Sequence, residues 1–593
     1  MTPDQWILIC VFAGTLVLMF GTRLRSDLIA LLAALSLGLT GVIPAGEVLT
    51  GLSSSVVTTL IGLFILARAL EETGLLRWAA ARITDVGGDS EIRVRLTLML
   101  TAAGLSLGMN NLAVGALLLP ASVRVARRAR VPISSLLLPV SYSTLLGGMA
   151  TYFTTANIIM SDLLLQQGSR PLGMKDFVFT GGLVAVAGMA FMATFGRRLL
   201  PPGDVSDDDP RGDYFGLYKL GERFWSLLVA HDSELAGKTI AESQIGKRLG
   251  ITVLAIRRRG RLFLVPGPGI AILPGDEVVV LGSEDRVRTL VEWGVKLRSS
   301  SSPERFQHEL ELTEVVVAPR SRVRGKTLAE LEMRSRYGVK VLALWREGQV
   351  IRTDVGKTPL EVGDGLLVIN LPTRLERLAG TGDFLVAGAR VAAPSRPGRA
   401  PLALAIFGAV LVAAFAGVLP IGEIALAGAL AMVLTGCVSL EDAYGSIEWN
   451  VLFLIAGLLP LGFAMIDTGL AQRAAELLGG FAERGNPLVL VAVMFSITVA
   501  VTQVVGGQVS PLLVGPVALA VASTSGIAAA AMAVAVAIGA STAFLTPTAH
   551  PLNAMVMGTG GYRPSHFLRV GVGMTLVSLV ALLAGMWLFW GIR

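Results

Sequence analysis

The stretch LIGLFILARALEETGL at residues 60–75 recurs in outline as LIAGLLPLGFAMIDTGL at residues 454–470. Two further pairs of stretches recur at nearly the same interval: ALLLPASVRVA (116–126) with PLLVGPVALAVA (511–522), and TTANIIM (154–160) with HPLNAMV (550–556). The interval is 395 residues from Leu75 to Leu470 and 396 residues from Asn157 to Asn553. A near-constant interval predicts a chain built from two copies of one unit.

The composition predicts a polytopic α-helical membrane protein. Of 593 residues, 53% are hydrophobic and only 16% are charged. Runs of about 20 apolar residues, long enough to cross a bilayer, recur along the chain. The net charge of +7 indicates cytoplasmic Lys and Arg beside anionic lipids, so we expect the lipid bilayer as a partner and no nucleic acid. Cys10 and Cys437 lie in apolar segments and predict neither a disulfide nor a zinc site.

A change of composition divides the chain into two membrane halves and a polar insert. The expected segments are membrane half 1 at 1–200 with a hairpin at about 96–123, a linker at 201–213, α+β domains at 214–298 and 299–385, a linker at 386–400, and membrane half 2 at 401–593 with a hairpin at about 488–522. Arginines concentrate in alternate short loops, whereas the loops Pro44–Thr50 and Pro420–Glu423 carry no Lys or Arg. By the positive-inside rule, the halves have inverted topology, both termini lie outside and the insert is cytoplasmic.

Two of the interruptions predict the tips of re-entrant hairpins. The first tip reads GMNN at Gly108–Asn111, and the second reads GGQ at Gly506–Gln508. Asn side chains in hydrocarbon are costly unless they find partners or line a cavity. One interpretation is that they simply join helices by hydrogen bonds. The other is a binding site, where unwound carbonyls and amides coordinate a cation and helix N-termini face an anion.

Two further interruptions predict discontinuous helices. They read TYFTTAN at 151–157 and STAFLTPTAHPLN at 541–553. The four interruptions contain no Asp, Glu, Lys or Arg, so their oxygen dipoles suit Na⁺, and their hydroxyls, amides and helix N-termini suit an oxyanion. A proton relay needs an intramembrane carboxylate, and the nearest expected ones are Glu71, Glu72 and Asp467 at span ends. His550 is either a hydrogen-bonded structural residue or a substrate contact and pH sensor.

Three longer stretches carry a family resemblance: NNLAVGALLLP (110–120), LLLPVSYSTLLGG (136–148), and ASTAFLTP with GGYRPSHFLRVG (540–571). With them the chain resembles the divalent anion/sodium symporters (DASS) of the ion-transporter superfamily. The resemblance implies a secondary active transporter of sulfate, phosphate or a dicarboxylate, coupled to Na⁺ by elevator-like alternating access. It also implies a homodimer in the bacterial inner membrane. The second tip has Gly506, Gly507 and Gln508 where the family has a Ser-Asn-Thr pattern, so a proton-coupled or antiporting relative is the alternative.

The resemblance assigns candidate site residues in both halves. The expected substrate-binding residues are Asn110, Asn111, Thr155, Asn157, Gln508, Thr548 and Asn553. The expected Na⁺ ligands are Asn111, Thr151, Thr154, Gly507, Ser541 and Thr546. In each half, the tip and the neighbouring break would share a cation, and the substrate would lie between the halves.

The insert consists of two similar units, each with a Gly-Lys-Thr turn, at Gly237–Thr239 and Gly325–Thr327. The upstream glycine of a phosphate-binding loop is missing from both, which excludes a nucleotidase motif. The pattern resembles tandem TrkA-C (RCK-C) regulatory domains, which implies a small ligand such as a nucleotide. Arg257, Arg258 and Arg259 are the candidate phosphate contacts, and the alternative is a solvated turn.

Two other functional classes have less support. A ligand-gated channel is suggested by the insert alone, and no filter sequence such as TVGYG is present. A membrane enzyme is not expected, because the four histidines are scattered and no nucleophile–base motif occurs.

Overall fold

The computed structural model describes the chain except residues 23, 75–89, 130, 202–223, 260, 265, 300–311, 318–320, 322, 338, 347–348, 353–354, 362, 370–377, 379–382, 388–395, 480–485 and 593. The chain forms two compact units. One comprises Met1–Val205 with Arg390–Arg593, and the other comprises Ser206–Ala389. Most of the expected linkers at 201–213 and 386–400 lies outside the described residues.

The first half of the larger unit is helical. Its helices are α1 (Pro3–Gly21), α2 (Ser26–Leu39), α3 (Ser55–Glu72), α4 (Glu91–Ser106), α5 (Asn111–Arg128), α6 (Leu137–Met149), α7 (Thr155–Gln166) and α8 (Met174–Leu199). The expected tip falls between α4 and α5, and the expected helix break falls between α6 and α7. Short capping devices fix several ends, as where Ser54 accepts a hydrogen bond from the Val57 amide and begins α3.

The smaller unit contains two five-stranded sheets. Its strands are β1 (Phe224–Val229), β2 (Thr252–Arg258), β3 (Arg261–Leu264), β4 (Glu277–Leu281), β5 (Val295–Ser299), β6 (Leu312–Val317), β7 (Lys340–Arg346), β8 (Gln349–Ile351), β9 (Gly365–Ile369) and β10 (Phe384–Ala387). Its helices are α9 (Ile240–Ser243), α10 (Ile245–Leu249), α11 (Glu284–Glu292) and α12 (Met333–Arg336). The strand orders are β3-β2-β4-β1-β5 and β10-β6-β9-β7-β8, with antiparallel neighbours throughout.

The second half of the larger unit follows the helix order of the described first half, with two additional short helices. Its helices are α13 (Ala400–Ala416), α14 (Ile421–Leu434), α15 (Leu440–Gly445), α16 (Trp449–Asp467), α17 (Leu470–Gly479), α18 (Pro487–Val505), α19 (Ser510–Ser525), α20 (Ala529–Ser541), α21 (Pro551–Thr559) and α22 (Pro564–Trp590). The additional helices, α15 and α17, lie on either side of α16 in the sequence. Within the described residues, five helices are long and apolar enough to cross a membrane, and seven shorter apolar helices accompany them.

Contacts between the halves are reciprocal. Helix α2 packs on α16 of the other half, and its counterpart α14 packs on α3. Likewise, α5 packs on α21 and its counterpart α19 packs on α7. Such exchanged contacts are what a two-fold relation between duplicated halves produces. The closest approaches use glycine, since a Cβ on Gly62 would overlap the backbone of Ala425.

The two halves of the insert pack sheet against sheet through equivalent residues. Leu254 and Ala255 of β2 share one buried cluster with Leu342 and Ala343 of β7. Each pair of equivalents is separated by 88 residues in the sequence. This clustering buries the flat apolar faces of both sheets inside one chain.

One ion pair recurs at this interval of 88 residues. Arg258 donates to both oxygens of Asp276, at 2.8 and 2.7 Å, and to the carbonyl of Ala271. Arg346 makes the same bonds to Asp364 and to the carbonyl of Pro359. Both aspartates are almost completely buried, with 1% of Asp276 and 2% of Asp364 exposed. Each arginine therefore ties the end of a central strand to the loop before the next one.

This pair predicts that Asp276→Ala loosens the first sheet. The substitution leaves Arg258 and the Leu273 amide without their acceptor, which should cost about 2 kcal/mol. Amide hydrogen exchange in β2 and β4 of the full-length protein should then become roughly 30-fold faster. Asp285→Ala, at an exposed position on α11, is the control. Equal exchange in both variants would refute a stabilising role for the pair.

Candidate functional site

The first tip and the first helix break meet at Gly148. A Cβ on Gly148 would lie 3.0 Å from both Asn111 Oδ1 and Thr154 Oγ1. Thr154 donates its hydroxyl to the Gly148 carbonyl at 2.5 Å, and Ser106 donates to Asn111 Oδ1. Four neutral oxygens, from two side-chain hydroxyls, one amide and one carbonyl, therefore gather where α4 and α6 end and α5 and α7 begin.

Asn157 holds this break in shape. It is fully buried, and its Nδ2 donates to the Thr151 carbonyl at 2.5 Å and to the Gly148 carbonyl at 3.4 Å. Its Oδ1 is buried without a hydrogen-bond partner in the described part of the chain. An amide oxygen left unpaired in an apolar unit is costly unless a ligand completes it.

The second tip is built differently. Gly506 has a φ of +86°, which glycine adopts without strain. A Cβ on Gly507 would overlap the Ala540 carbonyl oxygen, so this tip approaches the break too closely for an Asn side chain. Gln503 takes over the bridging role, donating to the Thr542 carbonyl at 2.9 Å and accepting from the Leu545 amide at 3.1 Å.

Asn553 holds the second break as Asn157 holds the first. It is fully buried, and its Nδ2 donates to the Ala543 carbonyl at 2.7 Å. In contrast to Asn157, its Oδ1 accepts a hydrogen bond at 2.8 Å from Ser141 on α6 of the other half. When α6 and α20 are aligned end to end, Ser141 corresponds to Ala533, which has no hydroxyl. The lost donor explains why only the Asn157 oxygen is unpaired.

The two sets of breaks adjoin each other across the halves. A Cβ on Gly115, in the first turns of α5, would overlap the Leu552 side chain at the start of α21. The N-termini of these two helices therefore lie side by side. Unpaired amides and the positive end of the helix dipole make such N-termini a favourable place for an anion.

The expected site residues fall into two groups. The first break brings together Asn111, Thr154 and Asn157. Thr151 contributes its carbonyl there, whereas its hydroxyl lies near Met174 Sδ. In the second half the grouping is weaker. Ser541 donates back to the Ala537 carbonyl of its own helix, and Thr548 is exposed and donates only to Thr546, at 3.4 Å.

The remaining expected residues occupy edge positions. Asn110 accepts from the Leu112 amide and so begins α5, Thr155 is half-buried, and Gln508 is exposed at the second tip. His550 begins α21, and its Nδ1 accepts from the Leu552 amide at 3.2 Å. That hydrogen bond agrees with the structural interpretation of His550.

Sequence reasoning missed Ser106, Ser141 and the Gly148 carbonyl. The two serines lie within helices whose sequence is otherwise apolar, and only the packing of the helices shows their hydrogen-bond partners. Ser106 precedes the GMNN tip by two residues, so a search one turn upstream of the tip would have found it. Within the described residues, no group of three or more His, Cys, Asp or Glu side chains could hold a metal ion.

The three expected regulatory arginines have different environments. Arg258 is engaged by Asp276, and that hydrogen bonding raises the pKa of its guanidinium. Arg257 contacts Glu277 at 3.4 Å. Arg259 is exposed and has a φ of +48°, which places it in the turn after β2.

Comparison with known proteins gives concordant matches. A family model described as citrate transporter matches residues 15–539. An uncharacterized transporter of Synechocystis is 30% identical, with 99% of this chain and 97% of its own length covered. A probable sodium/sulfate cotransporter of Chlamydomonas reinhardtii is 24% identical, with 58% of this chain and 40% of its own length covered. The crystal structure of the Alcanivorax borkumensis YdaH transporter is 13% identical with a TM-score of 0.45, covering 99% of this chain and 98% of its own.

The two buried asparagines predict unequal effects on stability. Asn553→Leu removes the acceptor of Ser141 and the donor to Ala543, and should cost about 2 to 3 kcal/mol. Asn157→Leu removes one good hydrogen bond but also an unpaired oxygen, and should cost about 1 kcal/mol. Thermal unfolding of the detergent-solubilised protein measures both. A larger loss for Asn157→Leu would contradict the described pairing.

Proposed function

The chain belongs to the citrate transporter family, and on that premise we propose that it is a secondary active transporter of a small anion that binds between the two sets of helix breaks. It is an integral membrane transporter and not an enzyme. One observation carries the proposal beyond the family: the start of α5 packs against the start of α21. This contact sets helix N-termini from both halves beside one another, at residues that carry no charged side chain.

The chemistry of the breaks favours an oxyanion such as sulfate or a carboxylate. Backbone amides and side-chain amides and hydroxyls donate hydrogen bonds without a full positive charge, so the anion binds and can still leave. The proposed donors to the anion are Asn110, Asn111, Thr155, Gln508 and Thr548. Asn157 and Asn553 shape the two breaks, since their amide groups donate to backbone carbonyls. The Chlamydomonas relative's name gives sulfate as that protein's substrate, and the family description gives citrate. Both are oxyanions, in agreement with the proposal.

We further propose one Na⁺ site, in the first half alone. The gathered oxygens of Ser106, Asn111, Gly148 and Thr154, with the carbonyl of Thr151, are hard neutral ligands of the kind a small cation prefers. The expected ligands of the second half, Gly507, Ser541 and Thr546, form no comparable group. Gly507 has no side chain, and the Ser541 hydroxyl is used within its own helix.

An elevator-like movement is supported by contacts that occur in one half without an equivalent contact in the other. Helices α1–α3 and α13–α16 form one set, and α4–α8 with α18–α22 form the other. Within the sets, contacts between the halves have counterparts, as between α2 and α16 and between α14 and α3. Between them, α3 packs against α7, whereas its counterpart α16 packs against α19, the counterpart of α5. Two sets in an unequal position are what one end of an alternating-access cycle requires, and inverted halves supply the other end.

The remaining proposals concern assembly and regulation. The arginine distribution supports inverted halves, outside termini and a cytoplasmic insert in a bacterial inner membrane. We propose that the insert regulates transport as a tandem RCK-C-like pair, with exposed Arg259 in the β2–β3 turn as its phosphate contact for a nucleotide. The insert adds no support for the homodimer expected from the family resemblance, because the two sheets of the insert already bury their apolar faces against each other.

Transport by the purified protein in proteoliposomes tests the proposal. Uptake of labelled sulfate, citrate, succinate and phosphate is measured with imposed Na⁺ or H⁺ gradients. We expect saturable uptake of at least one of these anions and counterflow of it without any gradient. Currents without saturation would contradict a carrier and favour a channel.

Asn111→Ala tests the cation site. Loss of the Asn111 Oδ1 ligand should raise the Na⁺ concentration needed for half-maximal uptake by about 10- to 100-fold. Asn450→Ala is the matched control, because Asn450 is an exposed asparagine near the start of α16. An unchanged Na⁺ dependence in Asn111→Ala would refute the cation site but not the anion transport.

A further inference from the structure

A buried carboxyl group lies at the boundary between the two sets of helices. Asp162 is on α7 and is only 2% exposed. Its Oδ1 accepts a hydrogen bond at 2.5 Å from Ser55 Oγ, at the start of α3. Its Oδ2 is buried and has no hydrogen-bond partner among the residues that the structure describes. This group lies outside the four interruptions that the sequence singled out.

Among the residues that the structure describes, no positively charged side chain of Lys, Arg or His is paired with Asp162. The nearest basic residue along its own segment, Arg170, is paired with Asp176 at 2.8 Å. Helices α19 and α20, which pack on α7, carry no ionisable side chain.

Two other titratable groups face this region. The buried Tyr152 phenol lies close enough to interact with Ser161 and with the Asp162 carboxyl. Exposed Glu423 follows Gly422 at the start of α14, where that helix meets the Ser55 carbonyl. Along α3 itself, Arg68, Glu71 and Glu72 form their own ion pairs more than three turns away from Ser55. Asp162 is thus the buried carboxyl of this region, and its neighbours are neutral or acidic.

An unpaired carboxylate oxygen in an apolar unit is costly, and a bound proton removes that cost. Ser55 is exposed, so the hydrogen-bonded edge of Asp162 is within reach of water. Asp162 also lies about 7 Å along α7 from Asn157, which shapes the substrate break. The corresponding residue of the second half is Gly558, so the second half has no carboxyl at the equivalent position.

We propose that Asp162 is a proton-binding site that couples anion transport to proton movement, a role that rests on the proposed transport function. A proton from one side of the membrane binds Oδ2 and converts the carboxylate to a neutral carboxyl. Movement of α7 past α3 breaks the bond to Ser55 and carries the group to the other side. The same proton is released there, and the carboxylate is regenerated. The proton takes the place of the second cation that the Gly507 tip no longer holds.

Asp162→Asn in proteoliposomes tests this role. Asparagine keeps the shape and an oxygen for Ser55 but cannot release a proton. With equal Na⁺ on both sides, the wild type should accumulate sulfate or citrate in response to an inward H⁺ gradient, and anion entry should be accompanied by proton entry. Asp162→Asn should lose both, by more than 10-fold, and should retain counterflow of the same anion, since exchange needs no proton release. Asp467→Asn, at an exposed carboxylate that ends α16, should behave as the wild type.

The outcomes separate this role from the transport function. Absence of counterflow in the wild type would refute the transport function itself. Proton-driven accumulation that persists in Asp162→Asn would overturn the role of Asp162 and leave transport intact. If Asp162→Asn fails to insert, the wild type still decides, because anion entry without proton entry overturns the role. Asp162→Glu, which restores a titratable group, should recover proton-driven accumulation in part, and no recovery despite normal counterflow would count against the role.

Discussion

The structure depends on a constraint that an apolar environment places on interrupted helices. Where a helix ends inside such an environment, its free amides and carbonyls must find partners within the protein. Here one buried asparagine in each half, Asn157 or Asn553, donates to a backbone carbonyl in the break that follows the preceding helix. The glycines that let helices approach, and the pairing of breaks across the halves, follow from this requirement. What the asparagines leave unsatisfied is then available for ligands.

The halves share a plan but have diverged in chemistry. The first keeps an asparagine at its tip, and the side-chain oxygens meet at Gly148. The second half has Gly507 in place of that asparagine, and the backbone of Gly507 packs closely against the Ala540 carbonyl. Gln503 links the second tip to the second break by its hydrogen bond to the Thr542 carbonyl. The first also carries Asp162 where the second has Gly558. Two halves of similar helix order thus carry different side chains at equivalent positions, and this difference supports the proposal of one cation and one proton in the first half.

Much of the fold could be predicted, because repeated stretches, apolar runs and interruptions marked by glycine or proline can all be recognised in the sequence itself. The helices are interrupted at 107–110 and 506–509 and again after Met149 and after Ser541, and all four interruptions lie in the segments that the sequence marked. The partners of those segments could not be predicted in the same way. Ser141 meets Asn553 from 412 residues away, and Asp162 meets Ser55 from 107. Asp162 could not be predicted as a functional carboxyl, because a single acidic residue within an apolar segment forms no recognisable sequence pattern.

The inequality of the two halves can be measured as the number of Na⁺ ions that one chain binds. Equilibrium binding of labelled Na⁺ to the purified protein, in the presence of sulfate or citrate, measures this number without transport. We expect one saturable site per chain, lost in Asn111→Ala and retained in Asn450→Ala. Two equivalent sites, or one site that survives Asn111→Ala, would contradict the inequality of the halves.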